Sequence, residues 1–267
     1  MQFHIFRPFL LGLIAISHVS CSSDDDNASL SGEGQVSIEF DNGVNGDDLI
    51  LHTSTYTNSN GETLNIDRFN YIVSNFTLTD DRGNTFVYPK DDSYFVISEE
   101  SGKTEITLTG IPAGNYITLH FGIGVDREKY LQGAEGQGDF LTEAEEEEMM
   151  WSWQAGYKFL NFEGHFTSAS VTEPAAFKIH MGSHGSGLDN YREVTLDLST
   201  RAIVSNEMSP LIHLAADAGK VLNGSNTILL SEQAVIMISE EKSPKIAENA
   251  TEMFSVDHVH NGSGDHH

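Results

Sequence analysis

The sequence predicts an all-β protein, an antiparallel β-sandwich that carries one short acidic helical insertion. Segments in which apolar and polar residues alternate recur along the chain, and this period of two is typical of half-buried strands. Turn sequences rich in glycine and asparagine separate these segments, for example Asp41–Gly43 and Asn58–Gly61. Strands at this spacing favour two packed antiparallel sheets, so residues 35–240 are predicted to form one sandwich domain.

The individual strands follow from the same alternation. In the first of them, Val36, Ile38 and Phe40 lie on one face, separated by polar residues. Segments rich in β-branched and aromatic residues that end in turn residues give further strands. The strands predicted in this way are 36–40, 49–57, 69–79, 86–88, 94–97, 106–108, 116–123, 157–166, 176–180, 192–198 and 227–238. The segment Leu211–Leu222 is instead predicted to be a second short helix.

The acidic insertion interrupts this pattern after residue 125. Residues 126–138 form a glycine-containing loop, and Leu141–Met150 then reads LTEAEEEEMM. Thr142 followed three residues later by Glu145 has the form of a capping box, which predicts a helix from about Glu143. The glutamates lack the spaced oxygen ligands and central glycine of a calcium loop, so they are interpreted as a solvated helix face.

The N-terminus has the three parts of a secretory signal. Arg7 supplies a positive charge, Phe9–Ile16 is an apolar run too short to span a bilayer, and two small residues lead into Cys21. Cys21 is the single cysteine of the chain, so it has no internal disulfide partner. We therefore expect residues 1–20 to be a signal peptide and Cys21 to be the lipidated N-terminus; the alternative is a buried cysteine after an apolar run.

The segment after the predicted cleavage site, residues 21–34, is rich in serine, glycine and aspartate and is predicted to be a flexible tether. Its acidic run, Asp24–Asp26, is similar to the export signal of some surface-exposed lipoproteins, although a plain linker has the same composition. The expected location is the outer membrane, with the domain facing the periplasm or the cell surface.

The charge balance excludes two classes of partner. The chain has 14 Lys plus Arg against 40 Asp plus Glu, a formal net charge of −26. Nucleic acids and anionic membrane surfaces are bound through cationic side chains, so neither is an expected partner, and the lipid is the predicted membrane anchor. The same balance favours a cation as ligand.

The sequence offers no specific support for catalysis. It contains no nucleophile elbow, phosphate-binding glycine loop, HExxH or CxxC motif. Paired carboxylates are abundant, but in a chain this acidic they carry no information. We therefore expect a protein that is not an enzyme.

Histidine and tryptophan are more informative. Trp151 and Trp153 lie in one aromatic segment, and the alternation of the predicted strands places His180 and His165 on the face opposite the apolar residues. Imidazole is a good ligand for copper and zinc, and methionine sulfur favours Cu(I). The alternative is that the histidines are ordinary surface residues and the tryptophans belong to the core.

From about residue 35 to residue 238 the chain resembles the MbnP family, extracytoplasmic copper-binding proteins associated with methanobactin systems. The specific match is the WxWQxGYKF string in Met150–Phe159. Supporting matches are FNYIVSN at Phe69–Asn75, GIGV at Gly122–Val125 and HMGS at His180–Ser183.

The resemblance implies a copper site. In that family, copper is bound by histidine together with a tryptophan that a partner di-haem protein oxidises to kynurenine. Carried over to this sequence, the matching residues are His180 and either Trp151 or Trp153. The loop 126–138, where family members often place a histidine, has none here, and the cysteines that they often carry are absent from the domain. A second ligand is therefore expected elsewhere, in the order His165, His52, His120 and His184.

The closing segment, residues 241–267, is predicted to be a C-terminal tail containing histidines. The stretch Asp257–His267 carries four of the twelve histidines. These histidines either bind metal weakly or belong to a disordered tail.

The signal sequence predicts a lipoprotein, and the resemblance implies that it binds or handles copper outside the cytoplasm without catalysis. A cell-surface module that binds carbohydrate or protein, on the same scaffold without metal, is the alternative. Bound copper would favour the first function, and metal-free protein with an exposed aromatic groove would favour the second.

Overall fold

The computed structural model describes Met1 and residues 30–183 and 187–262. Cys21, nearly all of the predicted signal peptide, residues 21–29 of the predicted tether, His184 and the last two histidines lie outside the described residues. Among the described helices, none has both the length and the apolar character needed to cross a bilayer.

Strands dominate the described residues, as predicted. In chain order they are β1 (Glu33–Val44), β2 (Asp47–Asp48), β3 (Tyr56–Thr57), β4 (Thr63–Asp80), β5 (Thr85–Val87), β6 (Tyr94–Ser98), β7 (Glu105–Pro112), β8 (Gly114–Ile123), β9 (Met150–Ser152), β10 (Gly156–Tyr157), β11 (Leu160–Thr167), β12 (Ala175–Met181), β13 (Arg192–Val204), β14 (Leu211–Asp217), β15 (Val235–Ile236) and β16 (Phe254–His260). The α-helices are α1 (Arg127–Tyr130), α2 (Asp139–Glu146), α3 (Lys220–Asn223) and α4 (Lys242–Thr251), and short 3-10 helices lie at Lys90–Asp92 and Ala134–Gln137.

The strands form two main sheets, which confirms the predicted sandwich. The small sheet has the order β16-β14-β1-β2, with β7 also paired to β1. The large sheet has the order β13-β8-β4-β11-β12-β15, with β3, β5 and β6 also paired to β4. Strand β4 can pair with so many neighbours because it is 18 residues long and irregular. Asn75 has a positive φ, and the register between β4 and β8 shifts next to it.

The pairing is mainly antiparallel, with two parallel exceptions. Strand β1 runs parallel to β14, and β12 runs parallel to β15. Parallel neighbours need a long connection between them, and both pairs join strands that lie far apart in the sequence. Alternation predicts which face of a strand is buried, but it does not predict the direction of the neighbouring strand.

The core between the sheets is rich in aromatic rings. Val36, Ile38 and Phe40 are all buried, as the alternation predicted. Phe40 makes edge-to-face contacts with Phe121 and Phe254, at ring-centroid distances of 6.2 and 6.1 Å. Such pairs add about 0.5–1.5 kcal/mol each to the stabilisation from burial.

The predicted helical insertion is present between β8 and β9, but its main helix begins earlier than expected. Helix α2 begins at Asp139, so Thr142 lies inside it and does not cap it. Phe140 is buried against Tyr94 and Tyr157, at centroid distances of 5.6 and 5.4 Å. This packing in the first turn fixes where the helix starts and overrides the local capping signal.

Two further predictions of secondary structure were wrong. Most of Leu211–Leu222 is strand β14, and only its last residues enter α3. Residues 242–260, predicted to be part of a tail, form α4 and β16, and β16 pairs with β14 along the edge of the small sheet. Without β16 the β14 backbone would present an unpaired edge, so the folded domain extends at least to His260.

Candidate metal centre

His180 lies on strand β12 and is 3% exposed. Asn161 of β11 stands directly opposite it, and Asn70 of β4 stands directly opposite Asn161. Directly opposed residues in antiparallel strands share one face of the sheet, so these three polar side chains form a row across the large sheet. Asn161 and Asn70 are also buried.

A carboxylate fixes one side of the His180 ring. The Nε2–H of His180 donates to Glu163 Oε1 at 2.6 Å, and Lys178 Nζ lies 3.4 Å from the other oxygen, Oε2. Glu163 follows Asn161 by two residues on β11, so it projects from the same face as the row.

The charges of this pair follow from burial. Burial lowers the pKa of the His180 imidazole below its ordinary value, and the hydrogen bond to Glu163 opposes this effect without cancelling it. Burial acts to raise the pKa of Glu163, but the hydrogen bond from His180 and the hydrogen bond and charge of Lys178 outweigh it, so the pKa of Glu163 is lowered. Both directions describe a neutral imidazole whose Nε2–H donates to an ionised carboxylate. In that tautomer Nδ1 carries the free lone pair.

Several polar atoms around this row are buried without a hydrogen-bond partner. Three of them belong to the row itself, His180 Nδ1, Asn161 Oδ1 and Asn70 Oδ1, and the fourth is Trp151 Nε1, whose ring comes close to Gly182. Buried polar atoms are nearly always paired, so an unpaired group of them indicates a place where a further ligand belongs. Three of the four atoms are acceptors, which fits a cation better than an anion.

Trp151 comes close to Gly182, which directly follows the strand that carries His180. The ring atoms Cη2 and Cζ3 of Trp151 lie 3.2 Å from the position that a Cβ on Gly182 would take, and that Cβ would also overlap with the carbonyl oxygen of Tyr157. Gly182 comes two residues after His180, a spacing of about 7 Å along an extended chain. The glycine in the HMGS motif thus makes room for Trp151 next to the strand that carries His180.

Trp153 has different surroundings. Its ring packs against Tyr130 of α1 at 5.2 Å and against Tyr157 at 6.4 Å, and its backbone carbonyl accepts a hydrogen bond from the Tyr130 hydroxyl. These contacts dock the β9–β10 hairpin on the helical insertion. Trp153 is therefore a packing residue of the hairpin, whereas Trp151 is the tryptophan that reaches the His180 strand.

The hairpin is held from the other side by a buried lysine. Lys158 Nζ donates to the carbonyl oxygen of Glu148 at 2.8 Å, and burial lowers the pKa of Lys158. The side chain of Glu148 pairs with Arg68, which lies opposite Glu163 on the neighbouring strand. The lysine of the WxWQxGYKF string therefore fastens the tryptophan-bearing hairpin to the segment between α2 and β9.

Comparison with known proteins identifies the family of this chain. The sequence model of the MbnP family matches residues 33–239, more than three quarters of the chain. The chain belongs to the MbnP family. Among solved structures, MbnP from Methylosinus trichosporium matches with a TM-score of 0.48 and 14% sequence identity, covering 88% of this chain and 100% of that chain. A search of curated proteins finds no match.

The structure of this MbnP-family chain does not bring His165 to His180. His165 stands opposite Ala176, four residues before His180 on the same strand, which corresponds to about 13 Å. Its Nδ1 lies 3.0 Å from Asp67, and His52 Nδ1 lies 3.0 Å from the other oxygen of the same carboxylate. His165 shares a face with His180, as predicted, but it pairs with His52 through Asp67.

The other histidines proposed as second ligands do not supply one among the described residues. His120 Nδ1 forms a 2.9 Å hydrogen bond with Thr195 Oγ1 on β13, at the opposite end of the large sheet from β12. His184 lies outside the described residues. The groups that the structure does place next to His180 are Asn161 and Glu163, and Trp151 approaches the end of the same strand at Gly182.

Two of these groups, Asn161 and Glu163, were missed at the level of sequence. The sequence feature that points to them is the alternation in Leu160–Thr167, which puts residues 161, 163 and 165 on one face of the strand. Choosing among the three required the register between β11 and β12, which alternation does not contain.

Proposed function

We propose that this MbnP-family protein binds copper outside the cytoplasm and acts as a copper-handling protein without catalysis of its own. The observation that supports this most directly is the buried Nδ1 of His180, an imidazole nitrogen that lacks a partner while Nε2–H is held by Glu163. In metal-binding histidines the N–H of the second ring nitrogen characteristically donates a hydrogen bond to a carboxylate in this way, which fixes the tautomer and raises the basicity of the ligating nitrogen.

The proposal assigns His180 as the principal ligand and Glu163 as the residue that orients it. Asn161, directly opposite on β11, offers an unpaired side-chain oxygen beside it. Copper is the bound cargo in this proposal. The net charge of −26 further favours a cation at a protein site of this kind.

Trp151 is the second part of the proposed site. Its indole N–H is a donor and cannot bind a metal, and it is buried without an acceptor. Oxidation to kynurenine by a di-haem partner, as the family resemblance implies, would replace the indole by an aromatic amine that can ligate. The contacts of Trp151 with the Gly182 position and of Trp153 with Tyr130 support Trp151 as the modified residue.

Protein purified from its native membrane is expected to contain about one copper per chain at this site. Metal analysis and peptide mass spectrometry across Met149–Lys158 test this together, and kynurenine is expected at Trp151 with Trp153 unmodified. Copper with both tryptophans intact would indicate a plain histidine site. Metal-free protein with both tryptophans intact would contradict the proposal and favour the binding-module alternative.

We also propose that the protein is an outer-membrane lipoprotein anchored at Cys21. Changing Cys21 to alanine is expected to leave the protein unprocessed or soluble, because stable anchoring depends on the acyl chains that this residue would carry. Fractionation of membranes measures the result, with Ser22→Ala as the matched control. A Cys21→Ala variant that still sediments with the outer membrane would refute the lipid anchor.

A further inference from the structure

A second group of metal-ligating side chains lies on the outer face of the small sheet. Glu39, Asp41 and His213 bring one ligand atom each to within 4.8 Å of one another. Glu39 and Asp41 are separated by one residue on β1, and His213 stands beside Glu39 on the parallel strand β14. This group belongs to the other sheet of the sandwich from His180.

The geometry of the group is compact. His213 Nδ1 lies 2.8 Å from Glu39 Oε2 and 3.8 Å from Asp41 Oδ2. Ligands bonded to a zinc-type ion at 2.0–2.2 Å in a tetrahedral site lie about 3.3–3.5 Å from one another, so small side-chain adjustments suffice. The neighbour of Asp41 on β14 is Ala215, whose short side chain leaves space above the strand.

The C-terminal strand, which lies beyond the region matched by the family, completes this surface. His258 of β16 stands opposite His213, and the two rings stack with a centroid distance of 4.1 Å and an interplanar angle of 12°. Asp257 Oδ2 lies 2.8 Å from His258 Nδ1. The stack fixes the plane of the His213 ring. The His213 side chain is 18% exposed, so solvent can still reach it.

The electrostatic surroundings favour a cation. A groove next to the group is lined by six carboxylates, those of Asp41, Asp47, Asp48, Glu99, Asp217 and Asp257. A concave surface lined by charges of one sign raises the local concentration of counter-ions. The groove therefore raises the local concentration of cations beside Glu39, Asp41 and His213.

We infer that Glu39, Asp41 and His213 form a second metal site, which takes a divalent ion of the zinc or copper(II) type. A histidine with two carboxylates is a donor set that such ions accept, with water in the remaining positions. Binding of the ion at Nδ1 of His213 and Oε2 of Glu39 replaces the hydrogen bond between these two atoms, and any proton held there is released to solvent. This site is independent of the copper site proposed at His180.

The test uses Zn(II) as the probe and isothermal titration calorimetry on the mature protein. Every variant carries His180→Ala, so the first site contributes nothing. His213→Ala is expected to weaken Zn(II) binding by a factor on the order of 100. His120→Ala, which removes a histidine from the large sheet, is the matched control and is expected to bind Zn(II) as the parent does.

A second variant, Glu39→Gln, tests the site even if His213→Ala disturbs the small sheet. Glutamine keeps the shape of the glutamate side chain and removes its charge. This variant is expected to weaken Zn(II) binding by about 10-fold or more. Equal Zn(II) affinity in the parent, His213→Ala and Glu39→Gln would overturn the inference. Loss of Zn(II) binding through His180→Ala alone would also overturn it. If His180 proves not to bind copper but Zn(II) binding at Glu39, Asp41 and His213 is intact, the second metal site is still supported.

Discussion

Replacing Phe254 with alanine is expected to lower the free energy of unfolding by about 3–5 kcal/mol. The ring of Phe254 enters the core from β16 and lies 5.1 Å from Phe121 and 5.6 Å from Tyr71, both on the large sheet. It also lies 6.1 Å from Phe40 on the small sheet. Because it bridges the two sheets, its loss leaves a cavity that neither sheet can close alone.

Urea denaturation of Phe254→Ala and Ser255→Ala measures this effect against a matched control. Ser255 is exposed on the same strand, and its replacement is expected to change the free energy of unfolding by about 0.5 kcal/mol or less. Equal stability of the two variants would show that β16 is not docked. In that event the segment after residue 240 would be the flexible tail that the sequence suggested.

The strand β16 shows why that tail was mispredicted. Phe254 and Val256 alternate as a strand should, but the next inward residue is Val259, out of phase by one position. The register between β14 and β16 shifts at this point: His213 faces His258 and Leu214 faces Val256, so Asp257 is an extra residue. A β-bulge of this kind breaks the period of two on which strand prediction depends.

Segment 211–222 was mispredicted for a related reason. Its apolar residues Ile212, Leu214 and Ala216 alternate over only a short stretch. The segment also contains several alanines, and alanine favours helix. Packing decides the outcome, because β14 is buried between β1 and β16 and its inward residues reach the core. Short apolar runs of this kind do not distinguish a buried strand from a helix on local pattern alone.

The candidate site was predictable in part. Alternation correctly placed His180 on the face away from Phe177 and Ile179, and the burial of His180 confirms that this face is covered at that point. The choice of His165 as its partner failed because alternation predicts a face but not a distance along the strand. The pairing of His180 with Glu163 depends on the register of β11 against β12, which is set by the turn between them.

Removing the His180 imidazole is expected to weaken copper binding by a factor on the order of 100 or more, since it deletes the ligand itself. Glu163→Gln is expected to cost about 10- to 100-fold, because the glutamine still accepts the Nε2–H but no longer supplies the charge that raises the basicity of Nδ1. The two changes therefore form a graded pair that separates the ligand from the group that orients it.

Competition with a chromogenic chelator measures both losses, using protein expressed with its native partners. All variants carry His213→Ala, so that the second metal site does not mask the first. His120→Ala is the control, since this histidine is hydrogen-bonded to Thr195 at the opposite end of the large sheet. Undiminished copper affinity in His180→Ala would contradict the assignment. A loss from Glu163→Gln that is well beyond 100-fold and equal to that from His180→Ala would mean that Glu163 is itself a ligand, because it would exceed what a residue that only orients the ring contributes.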